Sequence, residues 1–361
     1  MKIPSLAGVL SEADVLATGA SIASMQESDG AIPWTVGEHV DVWNHVEAAM
    51  ALQVAGQVKA SHRAYDWCLA SQRPDGSWPI KYVGGTIEDD GAETNMSAYL
   101  AVGVWHHWLV RRDLGFVRRN WPAVQRALDW VVSMQLGWGG IAWRRRADGT
   151  VDQEALLAGS SSMYHALKAG VALAELLESS QPEWEIAAGR LRHAVRRHPD
   201  LFLDKQQFSM DWYYPVLGGA VRGAEAQDMI AARWDQFVRP GLGILCVDVN
   251  PWVTGAETCE LAMALDAMGD RQRAIGLVRD MQHLRSDEGA YWTGYVYPDD
   301  VFWPVEHTTY TAAAVLLAVD ALGDCTPGAD IMRGATLPAD FRPMALQCGC
   351  EPMAELVSAS S

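Results

Sequence analysis

Twelve stretches with helical periodicity alternate between two kinds, and this alternation constrains the fold more than any other feature of the chain. Residues 11–26, 57–72, 116–135, 183–198, 224–237 and 270–282 are amphipathic and carry a charged stripe. Residues 42–55, 94–110, 160–177, 212–221, 256–268 and 308–322 are rich in small residues and almost uncharged after their first turn. A helix with one apolar stripe lies at a surface, whereas one that is apolar nearly all round is buried. Six wet helices alternating with six dry ones predict an all-α (α/α)6 toroid, an inner ring of helices inside an outer ring. An open solenoid of the same hairpins is the rival arrangement. Closure is favoured because polar residues collect at one end of every dry helix.

A second repeat marks the joints. A Gln ends a wet helix, a short Gly-containing loop follows, and a Trp closes it. The pattern occurs as Gln26 to Trp34, Gln72 to Trp78, Gln135 to Trp143 and Gln282 to Trp292. Its spacings of 46, 63 and 147 residues correspond to roughly one, one and three hairpins, as expected of stacked supersecondary units. The toroid is expected to occupy residues 1–327. The Gly- and Pro-rich residues 328–361 are expected to form an irregular tail.

Composition narrows the function classes. Apolar residues make up 49% of 361, ample for one large core. The formal net charge of −17 argues against nucleic acid and against an anionic membrane surface as partners. No apolar run approaches the ~18 residues of a membrane span. Residues 1–10 lack a secretory pattern, and the six cysteines are scattered, so a cytoplasmic protein with reduced thiols is expected. Cys348 and Cys350 have no second Cys or His pair nearby, and His106 and His107 are adjacent on a helix and diverge. Neither metal nor cofactor is therefore expected.

The residues before and at the start of each dry helix carry the chemistry. They include Asp41, Trp43, His45 and Glu47, then Glu93 and Asn95, then Ser160–Ser162 with Tyr164. The later helices contribute Asp211, Trp212 and Tyr213, then Trp252, Thr254 and Glu257, then Trp303, Glu306 and His307. In a toroid all six inner helices start at the same end, so these groups should ring one depression. Helix capping explains any single cluster, but not the Trp or Tyr present in five of the six. Indoles beside carboxylates suit a neutral sugar, whose C–H faces stack on rings and whose hydroxyls pair with acids. The chain holds 16 Trp against 6 Phe, and Trp suits half-wet surfaces.

Hydrolysis of a glycosidic bond by protein groups needs two carboxyls. Opposed carboxyls roughly 6.5–9.5 Å apart leave room for the water of an inverting mechanism. Glu257, among apolar neighbours, is the expected general acid; Asp41 is the first choice of base and Glu306 the second. Trp43, His45, Glu93, Asn95, Tyr164, Asp211, Trp212, Tyr213, Trp252, Trp292, Trp303 and His307 are the expected sugar-binding residues, and Glu47 a buried hydrogen-bonding group. Ser160–Ser162 lack a nucleophile elbow, and Gly137 to Gly140 follow no strand, so neither a serine hydrolase nor a dinucleotide site is expected.

Two families share these motifs. Gln72-Arg73-Pro74-Asp75-Gly76-Ser77-Trp78 resembles the Q-x-x-D-G-S-W repeat of squalene cyclases and prenyltransferase subunits, which are helical toroids. Glu88-Asp89-Asp90 departs from the cyclase proton-donor motif, and the prenyltransferase zinc ligands are absent. Residues 41–50, 95–108, 159–167, 211–220, 252–260 and 291–310 resemble (α/α)6 glycosidases. Among these they are most similar to the mycobacterial methylmannose-polysaccharide hydrolases, endo-acting α-1,4-mannosidases. That resemblance implies a cytosolic enzyme cutting a partly O-methylated mannan. Three readings follow: a glycosidase with an open cleft and two facing acids, a terpenoid cyclase or prenyltransferase with a closed aromatic cavity, and a sugar-binding toroid without paired acids.

Overall fold

The computed structural model describes residues 2–342, so Cys348 and Cys350 lie outside the described residues. The helices in chain order are α1 (Glu12–Met25), α2 (Val42–Val54), α3 (Val58–Ser71), α4 (Thr94–Arg111), α5 (Leu114–Ser133), α6 (Leu157–Leu176) and α7 (Pro182–Arg197). They continue as α8 (Ser209–Leu217), α9 (Gly223–Ala232), α10 (Trp234–Phe237), α11 (Gly255–Ala267), α12 (Arg271–Asp280) and α13 (Thr309–Gly323). The dry helices α2, α4, α6, α8, α11 and α13 pack each against the next, and α13 packs back on α2, which closes the ring. Every residue of α13 from Thr309 to Leu322 is buried, as a helix ringed by neighbours must be. The wet helices pack outside as the outer ring. The fold is the all-α toroid that the alternation predicts.

The repeated glutamines hold the outer ring together. Gln72 Nε2 donates to Gly76 O at 3.0 Å within its own loop and to Ala123 O of α5 at 2.9 Å. Gln26 ties its loop to Ala60 O of α3, and Gln135 to Ala187 O of α7, at 3.0 Å each. Gly76 has φ +97°, and a Cβ there would stand 2.1 Å from Arg126 O, so only glycine lets this loop sit on the next outer helix. The fourth copy has a longer loop. Gln282 bonds Val278 O on its own helix, and the loop instead meets α1 through an Arg285–Asp14 ion pair at 3.2 Å. The motif is therefore a joint.

The two ends of the toroid differ. Inner-to-outer connections are short turns. Outer-to-inner connections are long, and all ten short strands found in the described residues lie in them. β1 (His39–Val40), β2 (Lys81–Val83) and β3 (Thr86–Asp89) form one sheet, and β4 (Ala92–Glu93) pairs with β5 (Arg144–Arg145). β6 (Val238–Arg239), β7 (Gly243–Leu245), β8 (Trp252–Thr254), β9 (Gly294–Val296) and β10 (Val301–Phe302) form a five-stranded antiparallel sheet. The strand-bearing end is the mouth. At the opposite end, residues 331–342 run without regular structure across the base. Asp340 there accepts from Tyr164 Oη at 2.6 Å and pairs with Lys168 at 3.0 Å and Arg192 at 2.9 Å. A cavity of about 400 Å³ lies under this segment, between His165, Lys168, Arg222, Arg333 and Asp340.

Candidate active site

Capping accounts for only some of the polar groups at the mouth. Asp41 is the N-cap of α2: Oδ1 accepts Asn44 N–H at 2.9 Å and Oδ2 accepts Asn44 Nδ2 at 2.6 Å. Thr308 caps α13, and Asp211 reaches from α8 to accept Ala158 N–H in the first turn of α6 at 3.2 Å. Glu93 sits at the N-cap of α4 without making a side-chain cap bond, and α11 begins after Thr254 with none either. Glu93, Glu257 and Glu306 are thus acids at the mouth that helix formation does not require. Around the ring α4 lies opposite α11 and α2 opposite α8. Glu93 therefore faces the helix of Glu257, and Asp41 faces that of Asp211. Asp41 and Glu257 themselves are on helices two positions apart, on either side of α13.

Burial shapes the electrostatics. Asp41 is only 4% exposed, and desolvation holds its pKa above the ordinary value, against the Asn44 donors and His39, whose Nε2 is 3.8 Å away. Burial first, then the charge of Asp41, pushes Glu93 up to about 7, with Arg144 opposing. Asp211 is pushed up to about 6, mainly by burial. Beneath the mouth two further acids occupy the bore. Glu260 accepts hydroxyl donors from Tyr213, from Tyr214 at 2.6 Å and from Tyr310 at 2.8 Å, yet burial still raises it to about 7. Glu47 is raised well above the ordinary range by burial and by the charges of Glu260 and Asp41. A small cavity between Glu47, Tyr99, Ser162, Tyr214 and Glu260 has room for about one water. The charges of Glu93, Asp41, Glu47, Glu260 and Glu257 each act on the next, so the acids form one connected set from α4 through α2 to α11.

The aromatic groups divide into mouth and wall. Trp43 is half-buried, 5.7 Å from the Tyr99 ring and 5.8 Å from that of Tyr214. Trp34 Nε1 donates to Glu306 Oε1 at 2.7 Å, and Thr293 Oγ1 donates to the same oxygen at 3.2 Å. Trp252 Nε1 donates to Trp303 O at 2.7 Å, with the two indoles edge to face at 5.0 Å. Trp292 stacks on Phe302 at 5.0 Å and lies 3.9 Å from the His307 ring.

Several expected sugar-binding residues are placed elsewhere. His45 is fully buried: Nδ1 accepts Ile32 N–H, Nε2 donates to Ala64 O, and the ring covers Trp67 at 4.5 Å. With both nitrogens used and its pKa lowered to about 4 by burial, it is a neutral wall residue. Helix α6 begins at Leu157 and not at 160, so Tyr164 lies two turns down the helix and its hydroxyl reaches Asp340 near the base. Trp212 points outward, stacks on Phe237 at 5.2 Å and donates to Met229 O. Tyr213 is buried in the bore on Glu260, and Asn95 is buried beside Gly159 of α6. Asp211 is spent on capping α6. Trp34, Thr293 and Arg144 of this region were not expected. Trp34 stood in the sequence as the end of the first joint, but nothing local tells that its N–H meets an acid 272 residues away. Among the described residues no group of three or more His, Cys, Asp or Glu is arranged to hold a metal, and no helix is long and apolar enough to cross a membrane.

No family model matches the chain. Among solved structures, a wild-type glycosidase superposes with a TM-score of 0.67 at 17% identity, covering 87% of this chain and 98% of that one. A D-mannose isomerase superposes at 0.66 with 12% identity, over 85% and 96%. At these identities the likeness establishes the toroid fold. The decisive relative is the MMP endo-(1,4)-3-O-methyl-α-D-mannosidase of Mycolicibacterium hassiacum, 52% identical over 336 residues, which are 93% of each chain. The chain therefore belongs to the family of that mannosidase and is a glycoside hydrolase.

Proposed function

We propose that the chain cuts internal α-1,4 bonds of a partly 3-O-methylated mannan by inversion, with Glu257 as general acid and Asp41 as general base. The observation that carries this reading is the gathering of Asp41, Glu93, Glu257 and Glu306 at the mouth of one ring, from elements up to 265 residues apart in sequence. Asp41 is held by Asn44 at both oxygens, and burial strengthens its hold on a proton, as a base that must take one from water requires. Glu257 is half-buried in the first turn of α11 and is not consumed by capping, so its carboxyl can turn to the leaving oxygen. Glu306 accepts two donors on one oxygen, from Trp34 and Thr293, which suits a fixed acceptor of sugar hydroxyls better than a group that exchanges protons. Glu93, close enough to feel the charge of Asp41, orients the sugar or its attacking water.

The test is incubation with 3-O-methylated α-1,4-mannan and with unmethylated α-1,4-mannan. Product sizes are read by mass and product anomers by NMR at early times. Internal fragments with the β-anomer formed first are expected. Glu257→Gln and Asp41→Asn should each lower kcat by about 10²-fold or more while leaving the fold unchanged by circular dichroism. Retained turnover in either variant removes that residue from its role.

A further inference from the structure

Eight large apolar side chains are exposed among the described residues, and all but Leu16 of α1 lie in the outer-to-inner loops that build the mouth. Single exposed apolar residues need no explanation, but apolar surface gathered on one face does. The densest part lies on the five-stranded sheet. Val301 of β10 is paired directly with Val296 of β9, and Val296 directly with Trp252 of β8, so the three side chains form one row on one face. On the other face Val253 is fully buried, which makes that face the core side and the Val301–Val296–Trp252 row the solvent side. A solvent-side row of an antiparallel sheet is ordinarily polar. Here it is continued by the Trp303 indole, 53% exposed and edge-on to Trp252. The row is also flat by construction. A Cβ at Gly294 would stand 2.4 Å from Trp252 Nε1, so the glycine lets that indole lie on the sheet. The Trp303 carbonyl pins the indole by its nitrogen.

We propose that this shelf of Trp252, Val296, Val301 and Trp303 reads the methyl ethers of the substrate, so that selection for methylated sugar is made outside the ring of acids. The inference rests on the reading of the substrate as a methylated mannan. A 3-O-methyl ether carries one more methyl group and one fewer O–H donor than the free sugar. The side chains of the valines offer no acceptor that would miss the donor, and their surface gains by covering the methyl. An unmethylated sugar laid on the same surface would leave its hydroxyl without a partner, so the shelf both attracts one sugar and disfavours the other. Each methyl seated is worth about fourfold in affinity, and two along the shelf about fifteenfold.

The experiment measures the binding of matched 3-O-methylated and unmethylated α-1,4-mannose oligosaccharides by calorimetry, in the Glu257→Gln protein so that no cleavage intervenes. The same pair is then measured after adding Val296→Thr and Val301→Thr, which keep the branched shape and the strand propensity. A preference of about tenfold or more for the methylated ligand is expected before the added changes. It should fall to within about threefold after them, through weaker binding of the methylated ligand. If the two threonines aggregate, Trp303→Ala, at an exposed position, is read in the same way. Equal affinities in the starting protein, or a preference that survives the shelf variants, overturn the proposal. Cleavage by the wild-type protein is scored separately, so loss of the shelf and loss of the hydrolase reading give different results.

Discussion

At the scale of single residues, the acids of the mouth are distinguished by what each is already bonded to. Asp41 and Asp211 complete helix ends, Glu306 is bound by two donors, and Glu93 and Glu257 make no cap bond. Glu93 shows what burial without a cap bond does: it holds its proton up to about pH 7, against an ordinary value of 4.5. A carboxyl whose folded pKa is raised binds its proton more tightly in the folded chain. Its contribution to stability is complete below about 4.5 and is lost as pH rises through about 7. Glu93→Gln removes that dependence. The melting temperature of the variant should fall less steeply than that of the wild type between pH 5 and 7.5, measured by calorimetry in matched buffers. Parallel slopes would place the raised proton affinity elsewhere. The residue scale is also where sequence reasoning was weakest. His45, Trp212 and Tyr213 stand near the starts of inner helices as expected, and Tyr164 lies two turns down its helix, but none of the four faces an open mouth.

At the scale of elements, the joints are the most legible feature and the most structural one. Gln26, Gln72 and Gln135 each tie a loop to the next outer helix through two carbonyl acceptors, while Gln282 makes neither bond. Gln72→Ala should therefore destabilise the fold by about 1–3 kcal/mol, read from denaturant midpoints, and Gln282→Ala by less. Gly76→Ala should cost more than Gln72→Ala, because it adds a strained φ to a collision with the Arg126 carbonyl. Equal effects at Gln72 and Gln282 would mean that the inter-helix bond carries no stability. In this chain the cyclase-like repeat therefore serves to join outer helices. The ten short strands left no signal of their own, since two to four residues are too few for alternation to stand out.

At the scale of the whole molecule, a chain of net charge −17 presents an acid-ringed mouth, a surface that repels polyanions and is indifferent to neutral glycans. Cleavage of neutral mannan should change less than about twofold between 0.01 and 0.15 M ionic strength. A sulfated α-mannan of the same length should be cut poorly at the lower salt, with initial rates as the measure. A steep salt dependence on the neutral glycan would contradict this view of the mouth. The amino-acid order alone determined the ring of six hairpins, because the contrast between wet and dry helices is written in local composition and repeats at a local period. It also determined that acids precede the inner helices, for the same reason. Only the tertiary structure decided which of those side chains meet. Successive helical residues turn by about 100°, so a start three residues earlier sent Tyr164 toward the base, and Trp212 and Tyr213, neighbours in sequence, part to the outer wall and the bore. The pairings of Trp34 with Glu306 and of Tyr213, Tyr214 and Tyr310 with Glu260 join distant segments that only ring closure brings within bonding distance.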